Sequence, residues 1–210
     1  LMPKQTNRKN EHVSLSEHFY KEGIPSFNDL HFVHHSFPEI NVADIDLSVS
    51  LGELQFDAPF FINAMTGGSD WTGKLNQKLA IVARETGLAI ATGSISAGLR
   101  HPEFADSYKI VREENPNGLV FANLGAGHGA ENAKRAIDLI QADALQIHVN
   151  APQEVVMPEG DREFDQWLSN IQEILEAIDV PLIVKEVGFG MSLETVSRLQ
   201  EIGVQYIDIS

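Results

Sequence analysis

Short continuous apolar runs recur along the chain from residue 59 onward, and segments of helical character separate most of them. The six runs span residues 59–65, 88–92, 119–122, 144–149, 181–184 and 205–210. Continuous rather than alternating apolar strands are typical of a parallel sheet that is covered by helices. The pattern therefore predicts an α/β domain in which each run forms one strand.

Polar residues and glycines mark the ends of the intervening helices. Thr72 is expected to cap a first helix that ends at Gly87, Asp161 to cap a second, and Ser192 to cap a third that ends at Gly203. The expected apolar face of the first helix consists of Leu75, Leu79, Val82 and Ala83.

Two architectures fit this alternation, a doubly wound sheet and a (β/α)8 TIM barrel. Every expected strand ends in polar or small residues, namely Thr66, Ser94, Asn123, His148, Lys185 and Ser210. In a barrel all carboxyl ends of the strands meet at one mouth, where the active site is built, whereas a doubly wound sheet gathers ligands mainly at its switch point. We therefore predict an α/β fold of the barrel type.

Six strands are fewer than a barrel needs, and about 250 residues are typical of the fold. We therefore expect a barrel that is truncated after strand six. Residues 1–58 are interpreted as an N-terminal arm and pre-barrel segment, and residues 59–210 as the incomplete barrel.

Composition narrows the function classes. The chain has 210 residues, a net charge of −15, 43% hydrophobic residues and 21% charged residues. A nucleic-acid-binding protein needs a basic face, and an acidic membrane surface repels an acidic protein, so neither partner is expected. The chain has no cysteine, which excludes a thiolate nucleophile and fits a reducing compartment, so we expect a cytoplasmic protein.

The strongest candidate chemistry follows the fourth run. His148, Asn150, Gln153 and Glu154 bring an imidazole, two amides and a carboxylate to one strand end. Glu154 is a candidate Mg²⁺ ligand, because Mg²⁺ usually takes one or two carboxylates and keeps waters or substrate phosphates. The alternatives are a core histidine at position 148 and a helix-start carboxylate at position 154.

Two other strand ends carry candidate chemistry. Lys185 ends an apolar strand, where it either stabilises negative charge on a ligand or pairs with Glu186 or another neighbour. The glycines of the segment 65–68 either let a flat ligand approach the backbone or form a tight turn.

Five motifs, taken together and in order, resemble a known family. They are Arg8-Lys9-x-x-His12, the segment 63–68, the segment 146–154, Met157-Pro158-Glu159-Gly160 and the segment 185–190. From about Arg8 to the last residue, the chain resembles type 2, FMN-dependent isopentenyl-diphosphate isomerase.

The resemblance implies a barrel flavoprotein that interconverts isopentenyl and dimethylallyl diphosphate without net redox change, in isoprenoid biosynthesis. It implies reduced FMN as an acid–base group, NADPH as the reductant, Mg²⁺, and a homo-oligomer that is a tetramer or larger.

The resemblance also implies roles for individual residues. Gln153 would lie near the alkene, Glu154 would hold Mg²⁺ against the diphosphate, and both would be catalytic together with His148. Lys185 would favour the anionic reduced flavin. The implied FMN contacts are Ala64, Met65, Thr66, Ser94, Asn123, Lys185 and Ser210. The implied substrate contacts are Arg8, Lys9, His12, Arg100, His148, Asn150 and Gln153.

The family continues past the position of Ser210 into glycine-rich loops that hold the FMN phosphate. A chain that ends there is expected neither to retain FMN nor to turn over. Two alternatives stay open, namely an FMN-dependent oxidoreductase that acts on 2-hydroxy acids and an inactive fragment of the isomerase. Arg8, Lys9 and the segment 148–154 suit a Mg²⁺-bound diphosphate better than a carboxylate, which usually requires a bidentate arginine.

Overall fold

The computed structural model of the chain describes residues 4–20, 31–158 and 160–209, with side chains from residue 9 onward. Its strands are β1 (Val49–Leu51), β2 (Leu54–Phe56), β3 (Ile90–Ala91), β4 (Val120–Gly125), β5 (Ala144–His148), β6 (Leu182–Lys185) and β7 (Tyr206–Asp208). Its α-helices are α1 (Lys4–Phe19), α2 (Asp70–Thr86), α3 (Ser96–Arg100), α4 (Asp106–Glu114), α5 (Ala130–Ile140), α6 (Ala151–Val156), α7 (Trp167–Ala177) and α8 (Leu193–Glu201).

The main sheet consists of five parallel strands in the order β3-β4-β5-β6-β7. Helices connect each strand to the next. The parallel α/β arrangement is therefore confirmed, and five of the six predicted runs form strands of this sheet. Continuous apolar runs identified β3 to β6 because both of their faces are covered, whereas β7 at the edge of the sheet is only partly buried.

The first run is not a strand of the sheet, and that prediction was wrong in its extent. A single parallel bridge joins Ile62 to Ile90. The Ile62 N–H donates to the carbonyl of Ala89, and the Ala91 N–H donates to the carbonyl of Ile62. The next backbone N–H, that of Ala64, donates to the side chain of Asn63 instead of to a strand, so the ladder stops there.

The sheet is curled. Asn63 lies beside the first strand, yet its side chain contacts Gln146 in the middle of the sheet and Asp208 in the last strand. In a flat sheet, five strand-to-strand steps of about 4.8 Å would separate Asn63 from Asp208 by roughly 24 Å. Their side chains are 3.5 Å apart, which requires the two edges of the sheet to approach each other, as they do in a barrel.

The interior of the curl changes from apolar to polar along the strands. Near the amino ends, Phe121, Ala144 and Ile183 pack with β1 and β2, an antiparallel hairpin that the sequence analysis did not predict. Two residues further along β4 and β5, Asn123 and Gln146 face each other and are buried. Side chains two apart share a face of a strand, so this progression leads directly to the polar strand ends.

Two predicted helix caps were wrong. Ser69 caps α2, because its hydroxyl accepts a hydrogen bond from the Thr72 N–H. In turn, the Thr72 hydroxyl accepts a hydrogen bond from the Ser69 N–H. Asp161 caps no helix, since α7 begins at Trp167. The predictions that Gly87 ends α2 and that Ser192 caps α8 are confirmed, and Gly87 adopts a left-handed conformation.

The predicted apolar face of α2 was wrong at Val82, which is 48% exposed. Ala80 and Ala83 are the fully buried apolar positions. Alanine brings the helix backbone close to the sheet, so the buried face consists of small residues and the larger apolar side chains flank it.

Candidate active site

A cavity of about 400 Å³ opens at the carboxyl ends of the strands. That size lies within the range of small-molecule sites. Among the residues that line it are Lys9, His12, Ala64, Met65, Ser94, Arg100, Asn123, His148, Asn150, Gln153, Glu154 and Lys185. The structure thus brings most of the predicted site residues to one place.

Three predicted residues are not among those that line the cavity. Thr66 is buried, and its carbonyl accepts hydrogen bonds from the Gly93 N–H and the Asn76 side chain. The side chain of Arg8 and the whole of Ser210 lie outside the described residues.

Strand register places four residues side by side at the carboxyl ends of the strands, and three of them, Gly125, His148 and Lys185, line the cavity. Gly125 pairs with His148, His148 with Lys185, and Lys185 with Asp208 across β4, β5, β6 and β7. Residues in register point to the same face of a parallel sheet, so an imidazole, an ammonium and a carboxylate are held next to one another by the backbone ladder.

The environment of His148 favours a neutral imidazole. Burial lowers the pKa of His148 to about 4, and the positive charges of Lys9 and Lys185 act in the same direction. The ring Nδ1 lies 2.9 Å from the side-chain oxygen of Asn123. A neutral histidine offers one donor and one acceptor, so His148 meets a ligand as a hydrogen-bonding group rather than as a fixed charge.

Lys185 is buried at 7% exposure. Burial lowers the pKa of Lys185, while Asp208 and Glu186 oppose that change. Its ammonium donates to the carbonyl of Glu186 at 2.5 Å. The Glu186 carboxylate turns away and accepts the backbone N–H groups of residues 187–190. Lys185 lines the cavity, so it brings a cation to the cavity wall.

Helix α6 and the loop after it hold two carboxylates at the cavity. Asp161 lines the cavity together with Glu154, whose carboxylate accepts the Asp161 N–H at 2.8 Å. Arg162 fastens this loop by donating to the carbonyls of Glu154 and Met157. A Cβ at Gly160 would lie 2.0 Å from the Glu154 carbonyl oxygen, so only glycine permits this close turn.

A second cationic wall comes from α3 and the loop after β4. Arg100 donates to the hydroxyl of Ser96 at 2.8 Å. The ring Nε2 of His128 lies 3.0 Å from the same hydroxyl, and its Nδ1 contacts Asn132 at 3.2 Å. Burial and the neighbouring Arg100 lower the pKa of His128, while Asp161 opposes the change.

The N-terminal helix α1 closes one side of the cavity. Helicity was not expected in this polar arm. The side chain of Asn10 accepts a hydrogen bond from the Ser69 hydroxyl at 2.7 Å, which ties α1 to the start of α2. Lys9 and His12 line the cavity from this helix. The low amphipathicity of α1 hid its helical character from the sequence pattern.

The donor set fits the two groups that the resemblance implies. A flavin requires a flat space with backbone and amide partners, and Ala64, Ser94 and Asn123 surround the cavity beside Lys185. Within the part of the chain that the structure describes, the buried Asn150 Oδ1 has no hydrogen-bond partner. Mg²⁺ with substrate phosphates needs only one or two carboxylates, which Glu154 and Asp161 provide.

Sequence reasoning missed several residues of the site, notably Ser96, His128, Gln146, Asp161 and Asp208. Gln146 sits inside an apolar run and resembles a core position, and Asp161 resembled a helix cap. The signal for Gln146 and Asp208 is their register with strand-end residues, which becomes visible only once the strands are paired.

Two structural features are absent from the described ranges. No helix within them is long and apolar enough to cross a membrane. They also contain no group of three or more histidine or acidic side chains arranged to hold a metal ion.

Proteins named isopentenyl-diphosphate delta-isomerase match nearly the whole chain. The Staphylococcus saprophyticus protein is 52% identical over 207 residues, which cover 99% of this chain and 60% of the relative. The Staphylococcus aureus (strain MSSA476) protein is 54% identical over 203 residues, which cover 97% of this chain and 58% of the relative. The chain is homologous to these isomerases. The resemblance predicted from the motifs is thereby confirmed, and the chain spans about 60% of the length of such relatives.

No protein-family model matches the chain. Among solved structures, a mandelate oxidase mutant with a monooxide FMN adduct is similar with a TM-score of 0.50 and 14% sequence identity. The similarity covers 80% of this chain and 51% of the oxidase chain. At this identity it concerns the fold alone, and it agrees with the α/β arrangement described above.

Proposed function

We propose that this chain carries the substrate-binding part of an isomerase that interconverts isopentenyl and dimethylallyl diphosphate. The observation that supports this best is the convergence of Lys9, Arg100 and Lys185 with the carboxylates Glu154 and Asp161 around one cavity. Cations beside a candidate Mg²⁺ position suit a diphosphate. Their clustering at one cavity is notable because the chain as a whole has a net charge of −15.

The proposed protein is a flavoenzyme on a complete (β/α)8 barrel, to which residues 59–210 contribute the first part. Reduced FMN, with NADPH as the reductant, would supply acid–base chemistry at the alkene. Ala64, Met65, Thr66, Ser94, Asn123 and Ser210 would contact FMN. The proposed protein is cytoplasmic and assembles as a homo-oligomer.

The chain's own residues would position the substrate. Arg8, Lys9, His12, Arg100, Asn150 and His148 would bind the diphosphate. Glu154 would hold Mg²⁺ against the diphosphate oxygens. Gln153, whose amide oxygen accepts a hydrogen bond from Asn150, would lie near the reacting carbons. Lys185 would favour negative charge on the flavin, because a buried ammonium stabilises an anion strongly.

The decisive experiment follows the conversion of isopentenyl to dimethylallyl diphosphate by NMR in the intact protein with FMN, NADPH and Mg²⁺. Glu154→Gln is expected to lower kcat/KM about 100-fold, as the loss of an essential acid–base or metal-binding group does, and to raise the Mg²⁺ concentration needed for half-maximal rate. Glu176→Gln on α7 is the matched control and leaves both unchanged.

The same assay separates the alternatives. Oxidation of 2-hydroxy acids without isomerisation would overturn the proposal in favour of an oxidoreductase. The flavin content and turnover of residues 1–210 expressed alone, compared with the intact protein, test whether this part suffices. Full activity of residues 1–210 would contradict the expectation that flavin retention needs a longer chain.

A further inference from the structure

A line of side-chain hydrogen bonds crosses the interior of the curled sheet from β7 to β5. It runs from Asp208 to Asn63 at 3.5 Å, to Gln146 at 3.2 Å, to Asn123 at 3.3 Å and to Nδ1 of His148 at 2.9 Å. We call it the amide relay. Gln146 is fully buried and Asn123 is 2% exposed, so water does not replace its inner links.

The direction of the amide relay is fixed at Asn63. The backbone N–H of Ala64 donates to the Asn63 side chain at 2.7 Å. A backbone N–H can only donate, so the atom that it meets is the amide oxygen. The amino group of Asn63 therefore faces Asp208, whose side-chain oxygen accepts the hydrogen bond. The backbone N–H of Ala64 thus determines one orientation.

This direction propagates to the histidine. The Asn63 oxygen also accepts from the amino group of Gln146, so the Gln146 oxygen faces Asn123 and accepts from its amino group. The Asn123 oxygen is left to face His148. Because that oxygen can only accept, Nδ1 of a neutral His148 must carry the hydrogen. Turning either buried amide would oppose two donors or two acceptors and leave them unsatisfied.

We propose that Asp208, Asn63, Gln146 and Asn123 are positioning residues that hold His148 in the tautomer protonated on Nδ1, with an unprotonated Nε2 at the cavity. A Cβ at Gly125 would lie 3.2 Å from Nε2. Because Gly125 has no side chain, no Cβ at that position stands against this nitrogen.

An unprotonated Nε2 accepts a hydrogen bond and cannot donate one. This consequence rests on the proposed function. A phosphate can hydrogen-bond to this Nε2 only through an O–H of its own. The terminal phosphate therefore binds with one proton, retained or taken up, on the oxygen that faces Nε2. The charged and titratable groups that face the ring are Lys9 from α1, Lys185 from β6 and His128 from the loop after β4. The added negative charge of the ligand favours this proton.

A second histidine in the same cavity provides an internal control. The guanidinium of Arg135 donates to the Asn132 oxygen at 3.0 Å, so the Asn132 amino group faces Nδ1 of His128. Nε2 of His128 then carries the hydrogen and donates to the Ser96 hydroxyl. The two histidines are therefore expected to be opposite tautomers.

The test is a long-range ¹H–¹⁵N spectrum of the histidine rings in the ¹⁵N-labelled intact protein without substrate at neutral pH. We expect the His148 signals of an Nδ1-protonated ring and the His128 signals of an Nε2-protonated ring. An Nε2-protonated His148, or an even mixture of its tautomers, would overturn the proposal. This readout requires no activity, so it is independent of the proposed function.

The variant Gln146→Met removes the middle of the amide relay. We expect a mixture of His148 tautomers and a rise of about tenfold in KM for isopentenyl diphosphate, with kcat within twofold. An unchanged tautomer with a reduced kcat would indicate a purely structural role and would contradict the proposal. If the variant does not fold, the wild-type spectrum still decides.

Calorimetry tests the proton. The binding of dimethylallyl diphosphate without reductant at pH 7.5, in two buffers of different ionisation enthalpy, is expected to take up close to one proton in the wild-type protein. The absence of proton uptake, with the Nδ1-protonated tautomer established, would refute the phosphate consequence and leave the amide relay standing. A complete absence of binding would instead count against the proposed function.

Discussion

At the scale of single residues, burial governs how His148 responds to pH. The folded-state pKa of about 4 lies below the value of 6.5 for an unperturbed histidine. Between these two values the unfolded chain holds a proton that the folded chain does not. Stability is therefore present above pH 6.5 and is lost as the pH falls toward 4.

We expect the free energy of unfolding of His148→Gln to fall less steeply as the pH decreases from 6.5 toward 4. In wild-type protein the group reduces the free energy of unfolding by at most about 1.4 kcal/mol per pH unit across the window. Urea unfolding at pH 4.5, 5.5, 6.5 and 7.5 measures the slope. His35→Gln, at an exposed position, is the control and keeps the wild-type slope. Equal slopes in all three proteins would show that His148 does not titrate in this way.

Gly93 forms part of the cavity wall by close approach of two backbones. A Cβ at this position would lie 2.7 Å from the backbone of Thr66, whereas a Cβ at Gly129 would meet nothing within 4 Å. We expect Gly93→Ala to cost about 1–3 kcal/mol of unfolding free energy, as overpacking does. Gly129→Ala makes the same substitution at a position with open space and should change stability far less. Chemical denaturation of both variants decides, and equal costs would contradict the close approach.

At the scale of elements, one carboxylate organises the loop after β6. A single oxygen of Glu186 accepts four backbone N–H groups, at 2.7, 2.7, 2.6 and 3.1 Å. Burial raises the pKa of Glu186, but the four hydrogen bonds outweigh burial and lower it. The loop lies next to Lys185, so its order determines the environment of that ammonium.

We expect Glu186→Gln to loosen the loop. An amide has one oxygen and no charge, so the hydrogen bonds to it weaken, and amide hydrogen exchange at residues 187–190 should accelerate at least tenfold. Glu194→Gln in the first turn of α8 is the control and leaves exchange in the loop unchanged. The wild-type loop should loosen on its own as the pH falls through the lowered pKa of Glu186. Protection that persists in Glu186→Gln would disprove the role of the carboxylate.

The elements also show what the sequence could and could not predict. The runs near residues 120, 145 and 183 were located because buried parallel strands are continuously apolar. The hairpin at Val49–Phe56 was missed because its strands have three residues each and lie mostly at intermediate or full exposure. Glu154 was predicted as a site residue from its position after a strand, and it lines the cavity. Its neighbour Asp161 was not predicted, because its position depends on the turn at Gly160, which no periodicity marks.

At the scale of the whole molecule, the segment that precedes β1 exposes several large apolar side chains. Phe32 is 99% exposed, Val33 91% and Phe37 83%. Large exposed apolar patches commonly mark interaction surfaces. This feature supports the proposal of a homo-oligomer in which a second copy covers this segment.

Replacing Phe32 and Val33 by serine together is expected to lower the assembly mass of the intact protein in sedimentation velocity, because the apolar contact is lost. Val82→Ser, which changes a half-exposed residue of α2, is the control and should leave the mass unchanged. An assembly that withstands the double replacement would show that the subunits meet elsewhere.

The curl of the sheet also affects the order in which the chain folds. Asn63 and Asp208 are 145 positions apart along the chain, yet they meet side by side. Contacts between such distant positions carry a large loop-closure cost and form late in folding. During synthesis, helices α2, α4 and α5 can pack long before residue 208 emerges. The chain therefore folds around an unfinished pocket, which stays incomplete at least until β7 has been synthesised.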